Sequence, residues 1–280
     1  MAARSRSPAE DLTAKAYRSL RRMIVDGDVL PRQRLSHRSL ARRLGIGRSP
    51  VRDALLKLES EGLIEHRPSS GIYLREITLQ ELDGIYEMRI VNETHAAGQA
   101  AERASAAQVE LLGRICDEMS AIAGKPDLVT WFSELENRRT VCRIDMQFHM
   151  TVLEAAGNPV ACKLLANSHL LAMKFSWDLG HGRPDWYADG IDRTARGHRT
   201  IYEAIRDRDP QAARDAMLEH VTWARIEIPE RAASLRKLDR FTPRRTTAGR
   251  NRRGRASRGD TAPPTKRTKR PGGEEGGSVE

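Results

Sequence analysis

The tightest constraint on this chain is the run from Gly47 to Leu63, where Val51, Ala54, Leu55 and Leu58 recur at i, i+3, i+4 and i+7. That spacing draws a single apolar stripe along a helix. Pro50 suits the first turn, where a missing N–H costs nothing, and Gly62 suits the stop. Arg48 and Arg52 lie four apart at the front end, beside the Ser49 hydroxyl. A helix that buries one face while its N-terminal turn offers guanidinium and hydroxyl groups is built to enter the major groove of DNA. Alone, it is an ordinary basic amphipathic helix, and its neighbours decide the matter.

Upstream, from about Leu12 to Asp26, Tyr17, Leu20 and Ile24 form one helical face, with Arg18, Arg21 and Arg22 on the others. Ser36 to Gly45 reads as a second short helix, capped by Ser36, stopped by Gly45 and apolar at Leu40, Ala41 and Leu44. The Gly45-Ile46-Gly47 link has the size expected between the two helices of a helix-turn-helix. Downstream, Leu63-Ile64-Glu65-His66 and Ile72-Tyr73-Leu74-Arg75 read as two strands about a Pro68-Ser69-Ser70-Gly71 turn. Three helices and a hairpin make a winged helix.

The run from Tyr17 to Glu76 resembles the DNA-binding domain of the GntR superfamily of bacterial transcription regulators. The segments that carry the likeness are Leu40-Ala41-Arg42-Arg43-Leu44-Gly45, Arg48-Ser49-Pro50-Val51-Arg52-Asp53-Ala54-Leu55 and Leu58-Glu59-Ser60-Glu61-Gly62-Leu63-Ile64. The resemblance implies operator contacts at Arg38, Arg48, Ser49, Arg52 and the wing tip, Ser70-Gly71. Two positions depart from the family pattern. Arg32 follows Pro31 where a glycine is usual, and Gly47 opens the recognition helix where a serine is common, which removes a cap or phosphate contact.

Charge divides the chain further. Of the net +10, residues 11–76 carry +6 and residues 241–280 carry +7, whereas residues 77–240 carry −4. Two basic ends about an acidic middle suggest a polyanion for the ends and another task for the centre. No apolar run approaches the roughly 20 residues of a membrane span, and residues 1–10 read as a flexible lead without the apolar core of a signal peptide. Cys116, Cys142 and Cys162 stand far apart, as buried thiols in a reducing compartment do. A cytoplasmic protein with no membrane partner is expected.

From Thr78 the pattern becomes a series of amphipathic helices. They are expected over about 82–104, then through Val109 to Met119 up to a stop at Gly124-Lys125-Pro126, then over about 128–156 unbroken, 160–178, about 189–207 and 210 to about 234. The fold class is therefore mostly α: an N-terminal winged helix-turn-helix (11–76), an all-α antiparallel helical bundle (77–240) and a disordered basic C-terminal tail (241–280). Arginine and lysine clusters in the tail suit salt-sensitive, non-specific DNA affinity, or serve only solubility.

Within the bundle, Asp145 and His149 are four apart on one face with Val141, Phe148 and Val152. His198 shares an inward stripe with Ile201, Tyr202 and Ile205, and His220 another with Met217, Val221 and Ala224. Polar groups sunk into apolar faces are costly unless paired. A divalent cation of the Zn, Ni or Mn type would pair all four, and backbone carbonyls are the alternative partners. His95, His169 and His181 fit no motif.

Residues 78–235 resemble the FCD ligand-binding domain of the FadR subfamily. The likeness rests on Ile85-Tyr86-Glu87-Met88-Arg89 with Glu93, Asp145-Met146-Gln147-Phe148-His149, Gly157-Asn158-Pro159, His198-Arg199-Thr200-Ile201-Tyr202-Glu203-Ala204-Ile205 and Ala216-Met217-Leu218-Glu219-His220. It implies a metal held by Asp145, His149, His198 and His220, with a small organic acid beside it and Arg89 facing that acid. The function expected is a homodimeric transcription regulator of the repressor kind. It reads a palindromic double-stranded operator and is modulated by the acid. Two rivals stand at this level: a metal-dependent hydrolase or lyase acting on small carboxylates with a DNA-binding appendage, and an architectural DNA binder. Against the enzyme, no general base accompanies the four ligands, since Glu154 projects from another face.

Overall fold

The computed structural model describes residues 8–29, 33–179 and 184–241. Residues 1–7, Arg32, His181 and the basic tail from residue 242 lie outside the described residues. Helix α1 (Pro8–Val25) starts inside the stretch expected as a flexible lead, with proline at the first helical position, where its missing N–H is harmless.

Helix α2 (His37–Leu44) is capped by Ser36, whose hydroxyl accepts from the Ser39 N–H, and ends at Gly45 with φ 63°. That left-handed residue turns the chain so that Ile46 N–H reaches the Ala41 carbonyl at 3.1 Å. Helix α3 (Arg48–Ser60) follows at once. Its cap position, Gly47, makes no side-chain cap bond, in keeping with the missing serine hydroxyl. Strands β1 (Ile64–Arg67) and β2 (Gly71–Leu74) pair antiparallel with Ile64 opposite Leu74 and Arg67 opposite Gly71. Val51, Ala54, Leu55 and Leu58 are all buried, and they join Leu20, Leu40, Ile46, Leu63 and Leu74 in one core. This is the head.

The body is built from α4 (Leu79–Arg103), α5 (Ala106–Ala123), α6 (Leu128–Ser133), α7 (Leu135–Ala155), α8 (Pro159–Leu179), α9 (Pro184–Arg206) and α10 (Pro210–Phe241). Reciprocal capping boxes, Thr78 with Glu81 and Ser105 with Gln108, start α4 and α5. Helix α4 packs against α7 and α10, and α9 against α5, α6 and α10. Their shared core includes Leu82, Leu112, Phe132, Phe148, Ile201 and Met217.

Helix α9 begins at Pro184, ahead of the start expected near residue 189, and two further boundaries differ from the expected ones. The helix expected unbroken over 128–156 is interrupted at Glu134, which is extended at φ −76°, ψ 127°. The carbonyls freed at the end of α6 are captured from the first turns of α7. Asn137 Nδ2 donates to Trp131 O at 2.7 Å, and Arg138 Nη1 donates to the carbonyls of Phe132 and Ser133. Helix α10 also passes the expected end near Ser234 and runs through Pro229 to Phe241.

Candidate functional site

On the head, Arg38, Arg48, Ser49 and Arg52 are all exposed, and α3 presents the last three on its first two turns. The apolar stripe decides this: with Val51, Ala54, Leu55 and Leu58 turned into the core, positions 48, 49 and 52 must face solvent. Arg52 has a loose pairing with Asp53 at 3.5 Å, worth little at such exposure. At the wing, Ser69 carries φ 60° and the Tyr73 hydroxyl donates to Ser70 O at 3.2 Å, bracing a tip where Ser70 is exposed and Gly71 half-buried.

Inside the body, three helices bring the four sequence-predicted ligands together. Asp145 and His149 come from α7, His198 from α9 and His220 from α10. One ring nitrogen from each of His149, His198 and His220 lies within 4.8 Å of the others. Asp145 Oδ1 stands 3.5 Å from His198 Nε2 and 3.9 Å from His149 Nε2. Donors about 2.1 Å from one ion at tetrahedral angles are about 3.4 Å apart, so these are spacings of a ligand set rather than of hydrogen bonds. Both ring nitrogens of His198, and Nδ1 of His220, are buried without a hydrogen-bond partner. Buried imidazoles in that state are costly, and a divalent ion is the partner that this donor set fits. The backbone carbonyls left open as alternative partners are therefore not used by His198. Gly197 makes room for the set: a Cβ there would sit 2.5 Å from His220 Nδ1.

Sequence reasoning missed part of this cluster. Glu93, wholly buried on α4, accepts from Arg89 Nε at 2.7 Å and from His169 Nε2 at 2.6 Å. Its other oxygen lies 2.8 Å from His149 Nδ1, though out of line for a good hydrogen bond. His169 thus acquires a partner 76 residues away, which no local spacing announces. Glu93, His149 and His169 could also be taken for ion ligands. The hydrogen bonds of 2.7 and 2.6 Å that Arg89 and His169 make to this carboxylate instead describe a hydrogen-bonded network. Arg89, expected to await an acid, lies on a cavity wall with Nε engaged by Glu93 and Nη2 3.4 Å from His149 Nε2.

That cavity encloses about 170 Å³ and is walled by Arg89, Asp145, His149, His220, Tyr187 and Trp223 among others. A cavity of that size has room for several waters or one small organic molecule. Burial alone would raise the Glu93 pKa, but Arg89 and the imidazoles of His169 and His149 hold it well below the usual carboxylate range. Burial, followed by the Arg89 charge, pushes His169 down to about 4. Burial and neighbouring imidazoles push His198 and His220 well below the ordinary histidine value.

These directions fix the acid response. Below pH 6.5 the unfolded chain binds protons that the folded histidines refuse, so stability falls as pH falls. For His169 the displacement from 6.5 to about 4 corresponds to about 3 kcal/mol. Chelator-treated protein is expected to lose at least that much stability between pH 7 and pH 4, read from urea midpoints; a flat profile would contradict the buried neutral histidines.

The geometry defines a class: a winged-helix head with its cationic helix face open, joined to a helical domain with a buried donor set and cavity. Comparisons with known proteins place the chain within that class. The model of the bacterial regulatory proteins of the gntR family matches residues 12–74, and the FCD domain model matches residues 84–222. The chain belongs to the GntR family and carries an FCD effector-binding domain. It is 26% identical over 204 residues to the uncharacterized HTH-type transcriptional regulator YdhC of Bacillus subtilis, covering 73% of this chain and 85% of that one. It is 25% identical over 232 residues to the HTH-type transcriptional repressor RspR of Escherichia coli, covering 82% and 93%. Among solved structures, E. coli McbR/YncC shares the fold with a TM-score of 0.63 at 20% identity, covering 81% of this chain and 98% of that one. The chain is thus a transcription regulator and not an enzyme, and the hydrolase or lyase alternative falls away. Among the described residues, no helix is long and apolar enough to cross a membrane.

Proposed function

We propose that this regulator is a cytoplasmic homodimeric repressor. Its two heads read a palindromic operator through Arg38, Arg48, Ser49, Arg52 and the Ser70-Gly71 tip. Asp145, His149, His198 and His220 hold a divalent ion of the Zn, Ni or Mn type, and a small organic acid binds beside it against Arg89. The observation that carries this reading is the His149, His198 and His220 trio, with unpartnered buried nitrogens, on and beside the wall of a small cavity. When bound, the ion supplies a Lewis-acidic attachment point for a carboxylate. The repressor assignment is supported by the relative RspR of Escherichia coli, which is a transcriptional repressor.

Charge makes the acid depend on the ion. Arg89 is neutralised by Glu93, while the Asp145 carboxylate also lines the cavity beside the histidines. Without a cation the Asp145 carboxylate repels an anion placed beside it; a divalent ion reverses that balance. The ligand can shift operator affinity only by its preference for one arrangement of the two heads.

The test begins with elemental analysis of purified protein and selection of its operator from random duplexes. Bound Zn, Ni or Mn and a palindromic selected site are expected; metal-free protein would remove the ion, and absence of any preferred duplex would remove the regulator. Arg48→Ala or Arg52→Ala should then weaken operator binding by about 1–3 kcal/mol without changing the melting temperature. Unchanged footprints would displace α3 from the groove.

A further inference from the structure

We propose that His169 is a positioning residue that ties the effector cavity to the DNA-binding head through α8. The inference rests on the ion-binding reading above and adds the route by which the site is felt at the operator.

Between residues 167 and 173, helix α8 touches three regions. Asn167 Oδ1 accepts from Arg21 Nη1 of α1 at 2.5 Å. His169 Nε2 donates to Glu93 at the cavity. Leu170 and Leu171 are 1% and 8% exposed and belong to the head's own hydrophobic core. Ala172 is buried in the body's core instead. Met173, together with Met146 next to Asp145, lines the cavity and packs against the head's cluster. A helix moves such closely spaced residues together, because its backbone hydrogen bonds leave little freedom between them.

At the cavity end, Glu93 gathers the groups that an ion would influence. It takes hydrogen bonds from Arg89 and His169 and lies beside His149, so it joins α4, α8 and the ligand-bearing α7. A shift of His149 or Arg89 on ion binding therefore reaches His169 through one carboxylate. From there it passes one residue along α8 to Leu170, which is buried in the head's core. A second contact runs in parallel: Arg139 of α7 donates to Gly27 O at 3.0 Å and pairs with Asp28 at 3.3 Å. A leucine at position 169 keeps a side chain of similar size there but offers Glu93 no hydrogen bond. Packed interfaces of this kind switch between discrete arrangements rather than deforming smoothly.

The experiment uses Zn(II) alone as the probe on the full chain, with the duplex selected from random sequence. In the parent, operator affinity should differ about 5- to 150-fold between Zn-saturated and chelator-stripped protein, the range of ordinary coupling energies. His169→Leu should hold the same Zn stoichiometry, yet its affinity should change less than about 2-fold on loading. His169→Gln, which retains a donor toward Glu93, should recover the response; a residue needed only for packing would not show that rescue. Asn167→Ala, which removes the bond to Arg21, keeps the test open if His169→Leu fails to fold, and it too should blunt the response. A parent that holds no Zn sinks the ion-binding reading and the coupling with it. A parent that holds Zn without changing its operator affinity, or a His169→Leu variant that responds as the parent does, overturns the coupling and leaves the ion site standing.

Discussion

Glu93→Ala is expected to destabilise the protein by about 3–5 kcal/mol, the cost of stranding one member of a buried ion pair. Glu93 and Arg89 are four apart on α4, both buried, and joined Nε to Oε1 at 2.7 Å. Removing the carboxylate leaves a buried guanidinium that cannot shed its proton at any working pH and has lost its ion-pair partner. It also strands His169, whose Nε2 loses its acceptor. Glu93→Gln keeps the volume and an acceptor oxygen but not the charge, and should fall between parent and alanine. Because a buried pair offsets its own desolvation poorly, Arg89→Met combined with Glu93→Leu should recover most of the loss. Urea midpoints for the four proteins decide it. If Glu93→Ala lies within about 1 kcal/mol of the parent, the pair is not buried as described.

The head was legible almost residue by residue because its signals are local. Four apolar residues of α3 at helical spacing are the four that are buried, Gly45 supplies the left-handed turn, and Gly47 leaves α3 without a side-chain cap. The body's helices were legible as helices but not in every boundary. Nothing in the composition about Glu134 marks a break, since the cause is Asn137 and Arg138 reaching back for free carbonyls. For the buried cluster, the inward positions of His149, His198 and His220 followed from periodicity. The partners of Arg89 and His169 did not. Arg89 and Glu93 have the right spacing for a pair, yet spacing alone does not say that both ends are buried. His169 meets Glu93 only because α4 and α8 pack together. Sequence periodicity assigns a side chain to a face; what waits across that face is a property of the assembled fold.

On the proposed ion-binding reading, His198→Ala is expected to abolish the stabilisation that an added divalent ion confers while costing less in its absence. In the ion-free protein the substitution has two opposed consequences. It removes two buried nitrogens that have no partner, which relieves a desolvation penalty. It also removes a ring stacked on Phe148 at 3.9 Å and 11°, and leaves a cavity in a core where large-to-small changes cost about 2–5 kcal/mol. The partial cancellation should leave a net loss of about 1–3 kcal/mol. With Zn(II) at a thousand times its dissociation constant, the parent gains about 4 kcal/mol by mass action. The variant, short of one ligand from the set, should gain less than about 1 kcal/mol under the same conditions. The difference between the two increments isolates the ion from the packing defect, which is common to both states. His169→Ala is the control: it carries its own packing defect but contributes nothing to the His149, His198 and His220 trio, so its Zn-induced gain should match the parent's. Were His169→Ala to lose the increment while His198→Ala kept it, the ion would belong to the Glu93, His149 and His169 group, and the spacing argument that assigns that group to hydrogen bonding would fail.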